Sequence, residues 1–273
     1  MEKTRDVAKL SKIALHIRRD IVDMIFHAGS GHPGGSLGST EIVTALYWGE
    51  LNHRPEDPHW PDRDRFVLSK GHVCPVLYAA LGEAGYFPKD ILCTLRKLGS
   101  PLQGHPCMLK ATGVEISSGS LGQGLSGANG MALAARLDGK SYRVYVLLGD
   151  GECQEGQVWE SAMTSAHYKI DNLCAILDYN NLQIDGKVSE VKDIAPLRDK
   201  WDAFRWHTIE IDGHNYGQIF AAFDEARATK GRPTMIIART IKGKGVSFME
   251  GQCEWHGKSP KSEDYEKAMI ELV

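Results

Sequence analysis

The segment YRVYVLL, residues 142–148, is a run of β-branched and apolar residues long enough to cross a sheet that is buried on both faces. A helical stretch follows at 154–168, and then a second such run, NLCAILD, at 172–178. Strand, helix and strand this close together form a βαβ unit, so the two strands must be parallel and their C-terminal ends must share one edge of the sheet. The pattern then recurs, with a helix near 197–203, a strand at 206–212, a helix at 216–229 and a strand at 234–240. Upstream, apolar residues at helical spacing predict a helix over 4–27, which Gly29, Gly31 and Pro33 stop. Further helices are expected at 37–50, 73–84 and 125–137, with a short strand at 65–68. No linker, repeat or low-complexity tract interrupts the series. The expectation is one α/β domain over residues 1–273, an open parallel sheet with helices on both faces.

That topology bears directly on two short motifs. Asp150 lies in GDG after the first strand, and Asn180 lies in NN after the second. Each alone could be an ordinary turn, but parallel strands set them side by side where open α/β sheets bind ligands. Gly149 and Gly151 let backbone approach a ligand closely. The helix that follows aims its N-terminus at the same edge, where anions are favoured. A carboxylate, a side-chain amide and a backbone carbonyl are hard oxygen donors. They suit Mg²⁺ or Ca²⁺ already partly coordinated by phosphate oxygens.

Four of the 11 histidines share an unusual setting. His32 in SGHPGG, His72 in SKGHV, His105 in QGHP and His256 in EWHGK all lie in loops containing glycine rather than in apolar periodic segments. Exposed turn histidines would look the same one at a time. Their wide spacing, with no HExxH or CxxC, argues against zinc. Several imidazoles in one cleft suit polyol and carbonyl binding and proton transfer near neutral pH.

Bulk properties exclude other classes. A net charge of −3 without a basic block gives no reason to expect nucleic acid. No apolar run has transmembrane length, and the charged N-terminus is unlike a signal peptide. Six scattered cysteines predict reduced thiols in a cytoplasmic protein.

GDG followed about thirty residues later by asparagine resembles the signature of thiamine diphosphate enzymes. The longer string GDGECQEGQVWESA…NLCAILDYNNLQIDG resembles the transketolase family, as do the four histidine contexts and SSGSLGQGLSGANG at 117–130. The likeness reaches from the first helix to about residue 260. It implies the diphosphate-binding (PP) domain, thiamine diphosphate and Mg²⁺ (or Ca²⁺), with Asp150, Asn180 and the Leu182 carbonyl as metal ligands. It implies that His32 and His256 lie around the donor carbonyl and acceptor aldehyde, His105 at the donor's C1 hydroxyl, and His72 near the diphosphate and reacting carbon. Gly119 and Leu121 would contact the aminopyrimidine side of the cofactor, and Glu155, with Glu160, would belong to a glutamate network reaching a second active site. The activity implied is transfer of a two-carbon ketol unit between sugar phosphates, as in the pentose phosphate pathway.

The loop KGKG, 242–245, lacks the spacing of a phosphate loop and reads as a mobile cover for the cofactor; His214 reads as structural and Cys153 as unreactive. The family's second domain, which protonates and sheathes the pyrimidine ring, has no counterpart in this sequence. The Met start and the closing segment SEDYEKAMIELV favour a natural half-length subunit over a truncated chain. The expected partner is therefore a C-terminal transketolase subunit carrying the pyrimidine-binding domain, in a heterotetramer with two copies of each chain. Rival readings are another thiamine diphosphate transferase, similar to deoxyxylulose-phosphate synthase or dihydroxyacetone synthase, and a non-catalytic cofactor-binding scaffold.

Overall fold

A computed structural model describes residues 3–273. Its centre is a five-stranded parallel sheet built from β1 (Arg65–Leu68), β2 (Val144–Gly149), β3 (Leu173–Tyr179), β6 (His207–Asp212) and β7 (Thr234–Arg239), in the order β1-β2-β3-β7-β6. A separate two-stranded hairpin, β4 (Leu182–Gln183) and β5 (Gly186–Lys187), follows β3. The helices are α1 (Val7–Ala28), α2 (Pro33–Gly38), α3 (Thr40–Ala45), α4 (Cys74–Ala84), α5 (Gln123–Leu137), α6 (Gly156–His167), α7 (Val188–Val191), α8 (Leu197–Ala203), α9 (Tyr216–Ala228) and α10 (Ser262–Glu271).

Side-chain alternation along the strands divides the interior into two cores. Tyr145, Leu147, Cys174, Ile176, Ile236 and Ala238 pack with residues of α1, α3, α4, α9 and α10. Their strand neighbours Val144, Val146, Leu148, Ala175, Leu177, Met235 and Ile237 pack with α5, α6 and α8. Period-two alternation therefore serves two apolar faces at once, which is why the strands read as unbroken hydrophobic runs. Each fully buried side chain of this size contributes roughly 1.5–3 kcal/mol.

α1 starts where Asp6 accepts hydrogen bonds from the amides of Ala8 and Lys9, and it stops at Gly29 in the left-handed region, φ 63°. The helix expected over 37–50 instead begins at Pro33, breaks at Ser39 and ends in a π turn, Leu46–Glu50. The hydroxyls of Ser36 and Ser39 donate to the carbonyls of His32 and Gly35, the local competition that weakens helices at serine. No helix among the described residues is long and apolar enough to cross a membrane.

Gly149 stands in register opposite Asp178, so β2 and β3 run out together. The segments after β1, β2, β3 and β7 all emerge at this one edge, carrying SKGH, GDG, NNL and TIKGK.

Candidate active site

Asp150 is 3% exposed, and its carboxylate accepts hydrogen bonds from the amides of Gly151 (2.7 Å) and Asn181 (2.5 Å). The second bond ties the loop after β2 to the loop after β3. Asp150 and the Asn180–Asn181 turn are thus parts of one structure. Asn180 Oδ1 accepts from the Leu182 amide at 3.0 Å, which turns the Leu182 carbonyl back toward the edge. That carbonyl accepts from Lys242 Nζ at 2.8 Å. Burial, reinforced by neighbouring Asp178, pushes the Asp150 carboxyl up to about 6.

Beneath this rim lies a fully buried carboxylate, Asp178, the last buried residue of β3. It pairs with the Lys70 ammonium, accepts from Asn180 Nδ2 at 3.0 Å and from the Thr240 hydroxyl, and is 3.5 Å from Ser39 Oγ. One carboxylate therefore fastens the segments after β1, β3 and β7 to the start of α3. Burial pushes this carboxyl up, but the Lys70 charge and the hydrogen bonds from Lys70, Thr240 and Asn180 outweigh it and hold it below its ordinary value. A second buried acid, Glu152, accepts from the Ser69 hydroxyl and from the amides of Gly122 (2.9 Å) and Gly149 (3.0 Å). It clamps the segment carrying Leu121 against the loop after β2.

Three of the four histidines converge. Ring centroids of His32 and His72 are 5.1 Å apart, those of His32 and His256 5.5 Å, and those of His72 and His256 5.1 Å. Burial lowers His32 to about 4, with Arg96, His105 and Lys242 acting in the same direction. Burial, followed by Lys242, lowers His256 to about 3, and burial next to Lys70 holds His72 well below its ordinary value. All three are therefore neutral at pH 7 and able both to donate and to accept hydrogen bonds. Lys242 Nζ lies 3.0 Å from His256 Nδ1, which makes that nitrogen the acceptor and leaves the proton on Nε2.

His105 stands behind Gly119 rather than on the cavity wall. Gly119 has φ 146°, and a Cβ there would come within 2.8 Å of the His105 ring. Only glycine lets the two loops close. His32, His72, Gly119, Leu121, Gly149, Asp150, Gly151, Glu155, Asn180, Leu182 and His256 line one cavity of about 310 Å³. Glu155 sits exposed at its rim as the residue before α6, whereas Glu160 is exposed farther along that helix and does not line the cavity. Larger hollows of about 360 and 540 Å³ exist elsewhere, but neither holds any of these residues.

The oxygen set fits a hard divalent cation. No group of three His, Cys, Asp or Glu able to hold a metal occurs among the described residues. The donors here are one carboxylate, one amide and one carbonyl, a set that favours Mg²⁺ or Ca²⁺ over zinc. The buried Lys242 ammonium, lowered to about 8 by burial, faces the same space and suits phosphate oxygens.

Sequence reasoning missed Lys70, Asp178 and Glu152. It also read the loop of Lys242 as mobile, whereas the structure pins it. Lys242 is 3% exposed, Gly243 donates to the Gly34 carbonyl at 2.8 Å, and the Ile241 amide donates to His214 Nε2 at 2.9 Å. His214 is held in turn by Glu41 at 2.9 Å, the structural role its sequence context suggests. Cys153 is buried, and burial pushes its thiol well above the ordinary value.

Comparison with known proteins places the chain. The family model for "Transketolase, thiamine diphosphate binding domain" matches residues 10–272. The 6-deoxy-6-sulfo-D-fructose transketolase subunit SqwG of Clostridium sp. is 46% identical over 94% of this chain and 93% of its own. An apulose-4-phosphate transketolase subunit from Phocaeicola vulgatus is 42% identical over 93% of this chain and 90% of its own. Human transketolase is 44% identical over 91% of this chain, which spans 40% of that protein. Transketolase from Leishmania mexicana superposes with a TM-score of 0.91 at 35% identity, over 96% of this chain and 41% of that one.

Proposed function

The chain belongs to the transketolase family, in its thiamine diphosphate binding domain, and on that premise we propose that it is the diphosphate-binding subunit of a two-chain transketolase. The reaction is transfer of a two-carbon ketol unit from a ketose phosphate to an aldose phosphate. The observation that carries this reading is the meeting of the Asp150–Asn180–Leu182 oxygen set with three neutral histidines in one cavity.

Thiamine diphosphate, when bound, supplies the electron sink for breaking and remaking a carbon–carbon bond. The rest falls to the chain. Asp150, Asn180 and the Leu182 carbonyl would hold Mg²⁺ (or Ca²⁺), and Lys242 adds a buried positive charge beside them. His72 would serve the diphosphate, and Gly119 and Leu121 the ring, of the bound cofactor. His32 and His256 offer neutral imidazoles to the sugar carbonyl and hydroxyls, moving a proton without the cost of a buried cation. His105 backs Gly119 from behind the cavity wall, within reach of a sugar's C1 end. Glu155 stands at the rim, where a neighbouring chain can reach it.

The chain spans about 40% of human transketolase, while the relatives it matches over at least nine-tenths of their own length bear the names of subunits. We therefore assign residues 1–273 to a single PP domain that acts with a C-terminal subunit, two copies of each forming the enzyme. Six free thiols support a reducing, cytoplasmic setting. The test mixes this chain with a pyrimidine-domain subunit, thiamine diphosphate and Mg²⁺. Ketol transfer should require both chains, with sugar phosphates and a sulfosugar compared as donors. Full activity from the chain alone refutes the two-chain reading. Condensation of pyruvate with an aldehyde in place of ketol transfer marks a deoxyxylulose-phosphate synthase-like enzyme. Unchanged turnover after His32→Ala or His256→Ala supports a scaffold.

A further inference from the structure

Arg96 is the least expected residue near the cavity. It holds φ at 61°, in the left-handed region where an L side chain is strained, and its amide donates to the Leu102 carbonyl at 2.9 Å. Its guanidinium is directed not at an acid but at neutral groups. These are Ser30 Oγ at 2.9 Å, the Gly104 carbonyl at 3.4 Å and His32 Nδ1 at 3.5 Å, and its buried Nε has no partner. A guanidinium without a carboxylate, on a strained backbone, needs a reason in the site it faces.

The contacts supply one. Arginine is always protonated and only donates, so a guanidinium at His32 Nδ1 makes that nitrogen an acceptor and places the proton on Nε2. The same guanidinium lies flat against Gly104, where a Cβ would sit 3.0 Å from its Cζ and Nε, and so it braces the peptide just before His105. One side chain thus meets His32 directly and the residue preceding His105. Lys242 treats His256 the same way, through Nδ1. His32 and His256, 5.5 Å apart, are each left with an Nε2–H to donate.

We propose that Arg96 is a positioning residue for ketol transfer, fixing His32 as the neutral Nε2–H donor to a sugar oxygen and bracing His105 for the same sugar. Groups facing His32 from the surrounding elements are His72, His105, His256, Lys242 and Arg96, with no acid among them to favour imidazolium. The kinetic part rests on the ketol-transfer reading; the tautomer part does not.

The experiment therefore has two arms. In the first, the full chain carries ¹⁵N-labelled histidine, and His32 is assigned by its loss in His32→Gln. Wild type should give an unprotonated Nδ1. Arg96→Met should give a tautomer mixture and raise the pKa of His32 by about one unit. Arg96→Lys keeps the charge but cannot span Ser30, His32 and Gly104 together, so it should give the mixture with the pKa still low. It serves alone if the methionine variant does not fold. In the second arm, the reconstituted two-chain enzyme carrying Arg96→Met should lose roughly tenfold or more in kcat. Its acid limb should move to higher pH, and thiamine diphosphate affinity should change little. An unchanged His32 signature in Arg96→Met, or in Arg96→Lys should it stand alone, overturns the proposal, as does an acid limb that stays in place while kcat falls. If the wild-type pair carries out no ketol transfer, the functional reading fails and the first arm still decides the role of Arg96.

Discussion

Replacing Asp178 with asparagine probes the site at its foundation. The change preserves shape, and an amide can still meet Thr240 and Asn180, so what is lost is charge. Lys70, 2% exposed, would be left in the cavity wall without a counter-ion. Breaking one side of a buried pair costs about 3–5 kcal/mol, a large share of the roughly 5–15 kcal/mol that holds a domain together. In urea unfolding followed by far-UV circular dichroism, the midpoint should drop by about 1–2 M with an unchanged slope. The double variant Lys70→Met/Asp178→Leu removes both charges and should recover most of this loss while still failing to bind the cofactor. Acid weakens the same pair. The Asp178 carboxyl lies below its ordinary value in the fold, so the stability it contributes is present above the unfolded pKa and lost as pH falls through the folded one. Asp178→Asn has none of this to lose, and the gap between the two proteins should close over that range. A loss below about 1 kcal/mol, the size of a surface pair, or a double variant no better than the single one, would mean that Lys70 and Asp178 do not depend on each other as a buried pair.

Three further outcomes follow from the same geometry. With His32 at about 4 and His256 at about 3, kcat/KM of the two-chain enzyme should stay level through pH 6.5, and a break there would mean ordinary, hydrated imidazoles. The unfolded chain takes up protons at these histidines below pH 6.5 while the fold does not, so urea midpoints should fall from pH 7 to 5, less steeply in His32→Gln/His256→Gln. Lys242→Met removes a charged donor from the Leu182 carbonyl and His256, worth about 1.5–3 kcal/mol, and should weaken cofactor binding about 10- to 150-fold in a tryptophan-fluorescence titration. Gly119→Ala puts a Cβ 2.8 Å from the His105 ring at a backbone angle that alanine resists, so turnover should fall well before the circular dichroism spectrum changes.

The parts of this molecule that were legible in its sequence are those where one local pattern has one physical solution. Apolar runs such as VYVLL point to a strand covered on both faces, and with a helix between two of them the sheet is parallel and its ligand edge is known. Asp150 and Asn180 then meet by topology, and the hydrogen bond from the Asn181 amide to the Asp150 carboxylate is its direct product. The break at Ser39 and the hairpin at 182–187 were hidden because each is decided by a few hydroxyl or backbone bonds too local to alter periodicity. The charged residues under the site were hidden for the opposite reason. Asp178 ends an apolar strand and passes for a turn residue, Lys70 sits between Ser69 and Gly71 in a short loop, and Arg96 lies in a loop with no motif. Each acquires meaning only from a partner tens of residues away: Lys70 for Asp178, the Leu182 carbonyl for Lys242, His32 for Arg96. A buried charge is tolerable only where long-range partners answer it. The residues that set the electrostatics of this cavity are therefore the ones that a one-dimensional reading is least equipped to find, and the neutral histidines it did find take their working state from them.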